Sequence, residues 1–299
     1  MKTILIVGSK NIGSKNDPTA IAEALHDEAS GVVTKTVYWE DILFDVKTSN
    51  VSVLFDTVDV RALRPSLVIA LGWYKNGKDS IYRDVAYSFA LYLRHNTITF
   101  WNEEMLSQRS VSKLSCMVQL ALEDISVPDT TFSLSGNHLR DAELPFVAKA
   151  PAASRGESNY LVSTEDKRTE LLGLGERFII QPFLPNDHDL RVVCIGGKPG
   201  LVLKRYRQDE TTHLNNTSKG GGAETVPLSR VDKDILTKTQ LICHTMKREM
   251  AGVDFIPDKK SAFGYSCLEV NAIPQLTSGS NVATKMEVFK KITQEMITE

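Results

Sequence analysis

The sequence predicts a mixed α/β protein that begins with a small α/β domain. Over the first hundred residues, short apolar runs alternate with amphipathic stretches, which is typical of strands joined by helices in a largely parallel sheet. Further along, apolar runs occur in pairs separated by short, glycine-containing or polar segments, which favours hairpins. With 299 residues, the chain is long enough for two or three domains.

In the first domain, the apolar runs predict four short buried strands and the amphipathic stretches predict two helices. The strands are expected at residues 3–7, 32–37, 67–71 and 97–100, and the helices at 20–28 and 81–94. Ser112 is a plausible N-cap for a further helix that runs to residue 122 and ends before Pro128.

The remaining elements are predicted mainly as strands. They are expected at residues 146–150, 160–164, 178–183, 190–195, 201–206, 251–256 and 264–271. Ser229 is a candidate N-cap for a long helix with Gly252 past its end, and residues 284–298 form an amphipathic helix.

The overall composition argues against several classes of protein. The formal net charge of -2 provides no general attraction to nucleic acid or anionic membranes. The apolar run that ends at Val7 is too short for a signal peptide, and no run approaches the length of a membrane span. The four cysteines lie among apolar residues without metal-binding spacing, so we expect buried thiols and a cytoplasmic location. The charge and the short apolar runs predict no membrane partner and no direct nucleic-acid partner.

The strongest local signal is a set of oxygen-bearing side chains in the strands predicted at 251–256 and 264–271. Glu269 and Asn271 are two residues apart in a strand and therefore share a face. A hairpin centred near residues 261–262 places Asp254 opposite Glu269. Opposed carboxylates are destabilising unless they are neutralised, and Mg²⁺ prefers oxygen ligands. The three residues together predict a metal site more strongly than a solvated acidic hairpin end.

A second signal is the charge in the hairpin around residues 196–200. If this hairpin is centred on Lys198, Arg191 faces Arg205 across the strand pair, and Asp189 faces Arg207. Opposed arginines are compatible when an anion lies between them, because guanidinium groups bind phosphate and carboxylate. The pattern is explained equally well by the charged outer face of an edge hairpin.

A third signal is the small, polar segment 151–158, which joins two predicted strands. Backbone N–H groups of such a loop can bind phosphates, although a flexible surface turn has the same composition. Lys149 lies in the otherwise apolar strand before it, and a buried lysine needs a partner such as a phosphate. A glycine-rich segment at 8–15 resembles a phosphate-binding P-loop, but Ser14 precedes Lys15 in the wrong order, so we interpret it as an ordinary loop.

Taken together, these residues resemble the ATP-grasp superfamily. Within it they are most similar to the RimK-type branch of ribosomal-protein glutamate ligases, lysine-biosynthesis ligases and, more distantly, glutathione synthetases. The resemblance covers about residues 102–275, with motifs in the family's order and with similar spacing. It implies an ATP-grasp fold with an N-terminal α/β domain at 1–103, a central lid domain at 104–180 and a C-terminal domain at 181–299.

The resemblance also implies roles for individual residues. The implied ATP-binding residues are Lys113, Lys149, Ser154, Gly156, Gln181, Phe183 and Asp189. The implied ligands for Mg²⁺ or Mn²⁺ are Asp254, Glu269 and Asn271. The expected catalytic residues are Arg191, Arg205 and Asn216. The chain departs from the family at Leu214, where some relatives carry a substrate-binding arginine, and at Gln275, where glycine is usual.

The implied activity is that of an ATP-dependent carboxylate–amine ligase that works through an acyl phosphate. The implied substrate is a small molecule, a peptide or a protein carboxylate, and homo-oligomerisation stays open. The alternatives are an ATP-grasp kinase, which stops after phosphoryl transfer, and a non-catalytic ATP-binding protein, which the retained metal-ligand positions disfavour. A dinucleotide-binding α/β protein is disfavoured because no GxGxxG follows the first strand.

Overall fold

Four β-sheets and the helices that cover them make up the chain as far as it is described. The computed structural model describes residues 1–10, 16–72, 80–107, 112–151, 159–207, 215, 222–272 and 274–298. Within these ranges one four-stranded sheet is parallel, and two three-stranded sheets and one five-stranded sheet are antiparallel. The predicted mixed α/β class is confirmed.

The N-terminal domain is built on the parallel sheet, in the order β2-β1-β6-β7. Its elements are β1 (Lys2–Gly8), α1 (Pro18–Leu25), β2 (Val32–Tyr38), β3 (Ile42–Lys47), β4 (Asn50–Phe55), β5 (Val58–Asp59), β6 (Leu67–Ala70), α2 (Ser80–His95) and β7 (Phe100–Trp101). The central strand β1 is completely buried from Ile4 to Val7, as expected for a parallel strand covered on both faces.

Two features of this domain differ from the sequence-based expectation. Strands β3, β4 and β5 form a separate antiparallel sheet that was not predicted. The fourth predicted strand begins later than expected, because Thr97 has a φ of 54° and Ile98 N donates to Leu93 O, which closes the end of α2. A residue in this left-handed region commonly terminates a helix.

The central part of the chain contains a small antiparallel sheet in the order β10-β8-β9. Its elements are α3 (Lys113–Leu122), α4 (His138–Asp141), β8 (Phe146–Lys149), β9 (Asn159–Val162), α5 (Glu165–Gly173) and β10 (Ile179–Pro182). The predicted N-cap is confirmed, since Ser112 Oγ accepts a hydrogen bond from Ser115 N. Helix α5 was not predicted.

The C-terminal part is a five-stranded antiparallel sheet in the order β13-β12-β11-β14-β15. Its elements are β11 (His188–Ile195), β12 (Lys198–Tyr206), β13 (Ala223–Val226), α6 (Lys233–Met246), β14 (Ala251–Pro257), β15 (Tyr265–Asn271) and α7 (Val282–Thr298). The predicted caps of α6 are wrong: Asp232 caps its start, and Lys247, with a φ of 52°, ends it. The Asp232 carboxylate accepts a hydrogen bond from the backbone N–H of Asp234. Ser229 lies too far upstream to accept this bond.

The two faces of this sheet pack against different layers. On one face, apolar residues of β11, β14 and β15 share a core with α3 and α6, and all four cysteines lie buried and unbridged in it. On the other face, Val193, Leu203 and neighbouring residues share a core with the N-terminal domain and with Phe289 of α7. The polar end of that second face carries the charged residues described below.

The predicted domain boundaries stay a prediction. The small sheet has its own core around Phe146 and Phe178, but its strand β10 continues past residue 180. Helix α3, which the prediction assigns to the lid, packs through Met117 and Leu120 into the C-terminal core.

Candidate active site

Several charged residues that were predicted as site residues lie together at the polar end of the five-stranded sheet. Asp189 pairs with Arg205, Arg191 pairs with Asp254, and Asp254 pairs with Glu269 across neighbouring antiparallel strands. Directly paired residues project from the same face of an antiparallel sheet. The predicted pairing of Asp254 with Glu269 is therefore confirmed, although a bulge after Asp254 shifts the rest of that hairpin.

The predicted pairing in the hairpin of β11 and β12 is wrong. Arg191 pairs with Leu203, and Asp189 pairs with Arg205 rather than with Arg207. The physical cause is a tight turn at Gly196 and Gly197, which both have positive φ values, of 59° and 74°. A bulge next to the turn then moves the register one residue back towards the predicted pairing, which leaves Arg191 opposite Leu203 instead of Arg205.

As a consequence, each arginine of this face is paired with carboxylates. Arg191 binds Asp254 through two hydrogen bonds of 2.7 Å each. Arg205 binds Asp189 at 2.6 and 2.8 Å and lies 3.1 Å from Asp254. The anion expected between the two arginines is therefore supplied by the protein itself, as Asp254.

Burial and ion pairing act in opposite directions on the carboxylates of this network. Burial raises the pKa of Asp189, and the charge of Arg205 only partly counteracts it. For Asp254, burial also favours the neutral acid, but Arg191 and Arg205 together outweigh it and lower the pKa of this carboxyl. The network of two arginines and two aspartates is thus a compact charge-balanced unit, which buried ion pairs require.

Two lysines approach this face from other elements. Lys149 of β8 is buried and donates a hydrogen bond of 2.6 Å to Gln181 of β10. Burial lowers the pKa of Lys149 to about 8, with Glu269 opposing and Lys113 reinforcing the shift. Burial also lowers the pKa of Lys113, again against the charge of Glu269. Both predicted nucleotide lysines are therefore close enough to Glu269 to interact with it electrostatically.

Glu269 and Asn271 fit an oxygen-ligand metal site. The Glu269 carboxylate forms no hydrogen bond or ion pair with residues that the structure describes, and the buried Asn271 Nδ2 has no hydrogen-bond partner there. A half-buried carboxylate without a partner is costly, and a cation would supply one. The Asn271 Nδ2 is a donor that needs an acceptor, so it is the amide Oδ1 of Asn271 that would bind a metal. Asp254 fits less directly, since its oxygens already bind two arginines. No cluster of three or more His, Cys, Asp or Glu residues occurs in the described part of the chain.

The other predicted nucleotide contacts are distributed around the small sheet. Gln181 joins Lys149 to Thr130 through hydrogen bonds of 2.6 and 2.9 Å. The backbone N–H of Phe183 donates a hydrogen bond to Pro145 O. The predicted residues Ser154, Gly156 and Asn216, and the family departure at Leu214, lie outside the described residues.

Lys285, which lies on α7 beside this face, was not predicted from the sequence. Its side chain is buried and donates hydrogen bonds to Gln275 O and, at 2.6 Å, to Ser278 O. Burial lowers its pKa to about 8, with the charge of Arg191 adding to the effect. The available signal was a lysine four residues before Phe289, on the apolar stripe of an amphipathic helix.

The fold is similar to that of solved ATP-grasp ligases. A solved structure of the ATP-grasp ligase PsnB, in complex with a minimal precursor, matches with a TM-score of 0.71 at 13% identity over 100% of each chain. D-alanine–D-alanine ligase from Bacillus anthracis, in complex with ATP, matches with a TM-score of 0.64 at 15% identity over 99% of this chain and 96% of its own.

The sequence identifies the family more narrowly. Residues 110–296 match the model of the RimK-like ATP-grasp domain, so the chain belongs to that family. A probable alpha-L-glutamate ligase of Syntrophotalea carbinolica is 27% identical over 202 residues, which cover 64% of each protein. The match thus spans slightly less than two thirds of that relative's length. No helix in the described residues has the length and apolarity needed to cross a membrane.

Proposed function

We propose that the protein is an ADP-forming, ATP-dependent carboxylate–amine ligase that works through an acyl phosphate. The observation that carries the proposal is that Lys113 and Lys149, from separate elements, both interact electrostatically with Glu269, whose strand also carries Asn271. Cationic groups of this kind hold nucleotide phosphates, and oxygen ligands hold the divalent cation that accompanies them. Membership of the RimK-like family and the names of its ligase relatives support the same activity.

Lys113 and Lys149 are proposed to bind the phosphates, and β10 to contact the base near Gln181 and Phe183. Gln181 then has a second task, because it fixes the Lys149 ammonium through a short hydrogen bond. Asp189 is a proposed ribose ligand, but its carboxylate is already bound to Arg205. We therefore assign Asp189 and Arg205 first to holding the charged face in place.

Glu269 and Asn271 are the proposed principal ligands of Mg²⁺ or Mn²⁺, with Asp254 at the edge of the site. When bound, the metal neutralises phosphate charge and orients the transferred group. Arg191 lies next to this position through its pairing with Asp254, and it is the proposed donor to charge that develops on the transferred phosphoryl group.

The proposed chemistry needs no side-chain nucleophile. A carboxylate oxygen of the acid substrate attacks the γ-phosphorus of ATP, and ADP leaves. The amine then attacks the carbonyl carbon of the acyl phosphate, phosphate leaves, and the amine loses a proton. Because solved structural neighbours are complexes with precursor peptides, and relatives are named glutamate ligases, we propose an amino acid, a peptide or a protein as the carboxylate substrate.

The proposal is tested by measuring ADP release with a panel of amino-acid pairs and peptides, in Mg²⁺ and separately in Mn²⁺. Hydroxylamine in place of the amine should trap the acyl phosphate as a hydroxamate, which mass spectrometry detects. If a substrate yields a stable phosphorylated product and neither an amide nor a hydroxamate, the protein is a kinase and the ligase proposal is wrong.

A further inference from the structure

Strand β15 carries two of the proposed metal ligands, yet it lies at the edge of the five-stranded sheet. Its inner side pairs with β14, but this ladder is interrupted directly before Glu269, where Leu268 is an extra residue without a partner on β14. Such a bulge disrupts the local pairing and redirects the side chains that follow it. The ladder is therefore interrupted at the point where Glu269 must be held.

The outer side of β15 pairs with no strand of the described residues, and individual groups bind its backbone instead. Before the bulge, Cys267 N donates a hydrogen bond to Ser126 O at 2.8 Å. After the bulge, Arg248 Nη1 donates to Val270 O, the carbonyl that lies between the two proposed metal ligands. A charged donor forms a stronger hydrogen bond than a neutral one, so Arg248 holds this part of the strand firmly.

The Arg248 side chain is only 4% exposed and is itself fixed by its surroundings. Its Nε forms an ion pair with Glu104, which belongs to the 3₁₀ helix Glu103–Ser107. Glu104 N donates to Lys247 O at 3.1 Å, and Arg248 N donates to Cys243 O at 2.9 Å, at the end of α6. The guanidinium is therefore held by α6 and by the 3₁₀ helix, and it holds Val270 O relative to both.

Stability alone does not explain this buried ion pair. Burial raises the pKa of Glu104 against the charge of Arg248, so desolvation opposes the pair. Replacing a buried ion pair by well-packed apolar side chains is often neutral or stabilising. An apolar side chain at position 248, however, has no donor for Val270 O. The arginine is thus suited to holding the strand in one place.

We propose that Arg248, held by Glu104, is a positioning residue that fixes the part of β15 that presents Glu269 and Asn271. Val270 packs into the core with α3 and α6, so its two neighbours point to the opposite, charged face. A shift of the strand at Val270 would move both neighbours together. The inference rests on the proposed function, since it requires a metal at Glu269 and Asn271.

The test measures the affinity of the full chain for ADP by calorimetry, once with Mn²⁺ and once with EDTA. The ratio of the two affinities isolates the coupling between metal and nucleotide, and it does not depend on turnover. Wild type should bind ADP more tightly with Mn²⁺, and Glu269→Ala should bring the ratio close to one. We expect Arg248→Met to lower the ratio roughly tenfold, the lower end of the effect of partners that orient a metal ligand.

Two further variants separate positioning from folding. Glu104→Leu combined with Arg248→Met leaves no unpaired buried carboxylate, so it should fold even if Arg248→Met alone does not. This double variant should show the same lowered ratio. Ile242→Ala removes a fully buried side chain of α6 from the same core. It should lower the melting temperature and keep the wild-type ratio.

Three results overturn the inference. If the double variant is folded and keeps the wild-type ratio while Glu269→Ala loses it, Arg248 only stabilises the fold. If Ile242→Ala lowers the ratio as much as the double variant does, the effect is a general consequence of lower stability. A wild-type ratio of one overturns the metal assignment and the role of Arg248 together. Ligase activity is decided separately by hydroxamate formation, and its absence changes none of these binding results.

Discussion

Glu269 faces two lysines whose pKa values are both lowered by burial and partly restored by its charge. In the described residues its carboxylate has no hydrogen-bond donor of its own. A half-buried carboxylate without a donor of its own is available to a metal ion that takes oxygen ligands.

We expect Glu269→Ala to abolish ATP turnover while the protein stays folded, because the proposed metal loses its main ligand. The measurement is Mg²⁺-dependent ADP release together with the melting temperature. Glu287→Ala, an exposed carboxylate on α7, is the matched control and should retain wild-type turnover. A folded Glu269→Ala protein with unchanged Mg²⁺-dependent turnover would show that the metal assignment is wrong.

Lys149 provides a second prediction at the residue scale. Lys149→Met removes the proposed phosphate ligand but also a buried charge, whose desolvation is unfavourable for folding. We therefore expect weaker ATP binding with only a small change in melting temperature. Calorimetry of ATP binding decides the point, with the exposed Lys291→Met as control. Equal affinity in Lys149→Met and wild type would contradict the assignment.

The lowered pKa of Lys149, about 8 instead of the ordinary 10.5, has consequences for pH dependence. Between these values the unfolded chain binds a proton that the folded chain lacks, so this group makes folding more favourable as the pH rises through that window. Phosphate binding favours the ammonium form, so ATP affinity should fall above about pH 8.

The corresponding experiment measures the enthalpy of ATP binding at about pH 8 in buffers of different ionisation enthalpy. Wild type should take up a proton on binding, so the observed enthalpy should vary with the buffer. Lys149→Met should show a smaller variation, because the lysine whose pKa lies near this pH is removed. An enthalpy that is independent of buffer in wild type would rule out this coupling.

At the scale of elements, the two hairpins of the charged face differ in how far the sequence determines them. The register of β14 and β15 near Asp254 was predictable, because the hairpin centre expected near residues 261–262 is the one at which Asp254 pairs with Glu269. The register of β11 and β12 was not, because the turn closes at Gly196 and Gly197 and a bulge follows. A sequence pattern of period two does not show whether a bulge is present.

The pairing in the hairpin of β11 and β12 predicts different roles for Arg191 and Arg205. Removing Arg205 leaves buried Asp189 without its partner, whereas removing Arg191 leaves Asp254 still bound to Arg205. We expect Arg205→Met to lower the free energy of unfolding by roughly 3–5 kcal/mol and Arg191→Met to lower it by clearly less. Urea unfolding measures both. Arg191→Met should nevertheless lose turnover strongly, because the proposed charge stabilisation in the transition state depends on Arg191.

The opposite order of stability would contradict this interpretation of the network. An informative additional variant is Asp189→Asn combined with Arg205→Met, which removes the unpaired charge. It should recover part of the stability lost in Arg205→Met, since neighbouring sites of one network are not additive.

At the scale of the whole molecule, the sequence predicted the class and most strands, but not which distant elements pack together. The core around the parallel sheet also includes Val193, Leu203 and Phe289, which lie far away in the chain. Such contacts leave no periodic pattern, because each strand or helix shows only that one face is apolar. The buried pair of Glu104 with Arg248, which in turn donates to Val270 O next to Glu269, was invisible for the same reason.

Asn102 links the N-terminal domain to strands of the candidate site. It is fully buried, has a φ of 68°, and follows directly after β7. Its Nδ2 donates to Ala272 O at 2.9 Å, and its Oδ1 accepts from Met250 N at 2.8 Å. It therefore fixes the end of β15, next to Asn271, and the start of β14. A side chain that satisfies two buried backbone groups in this way controls where both strands lie.

We expect Asn102→Ala to lower the free energy of unfolding by roughly 2–6 kcal/mol, because two buried backbone groups lose their partners. The matched control is Asp124→Ala, at an exposed residue with a φ of 54°, which tests the left-handed backbone alone and should cost only about 1 kcal/mol. At a temperature where Asn102→Ala remains folded, it should also need more Mg²⁺ for half-maximal ADP release, because Asn271 is adjacent to the lost anchor. Similar losses of stability in the two variants would mean that backbone conformation, and not the anchoring hydrogen bonds, determines the effect. An unchanged Mg²⁺ requirement in folded Asn102→Ala would show that β15 holds its metal-binding residues without this link.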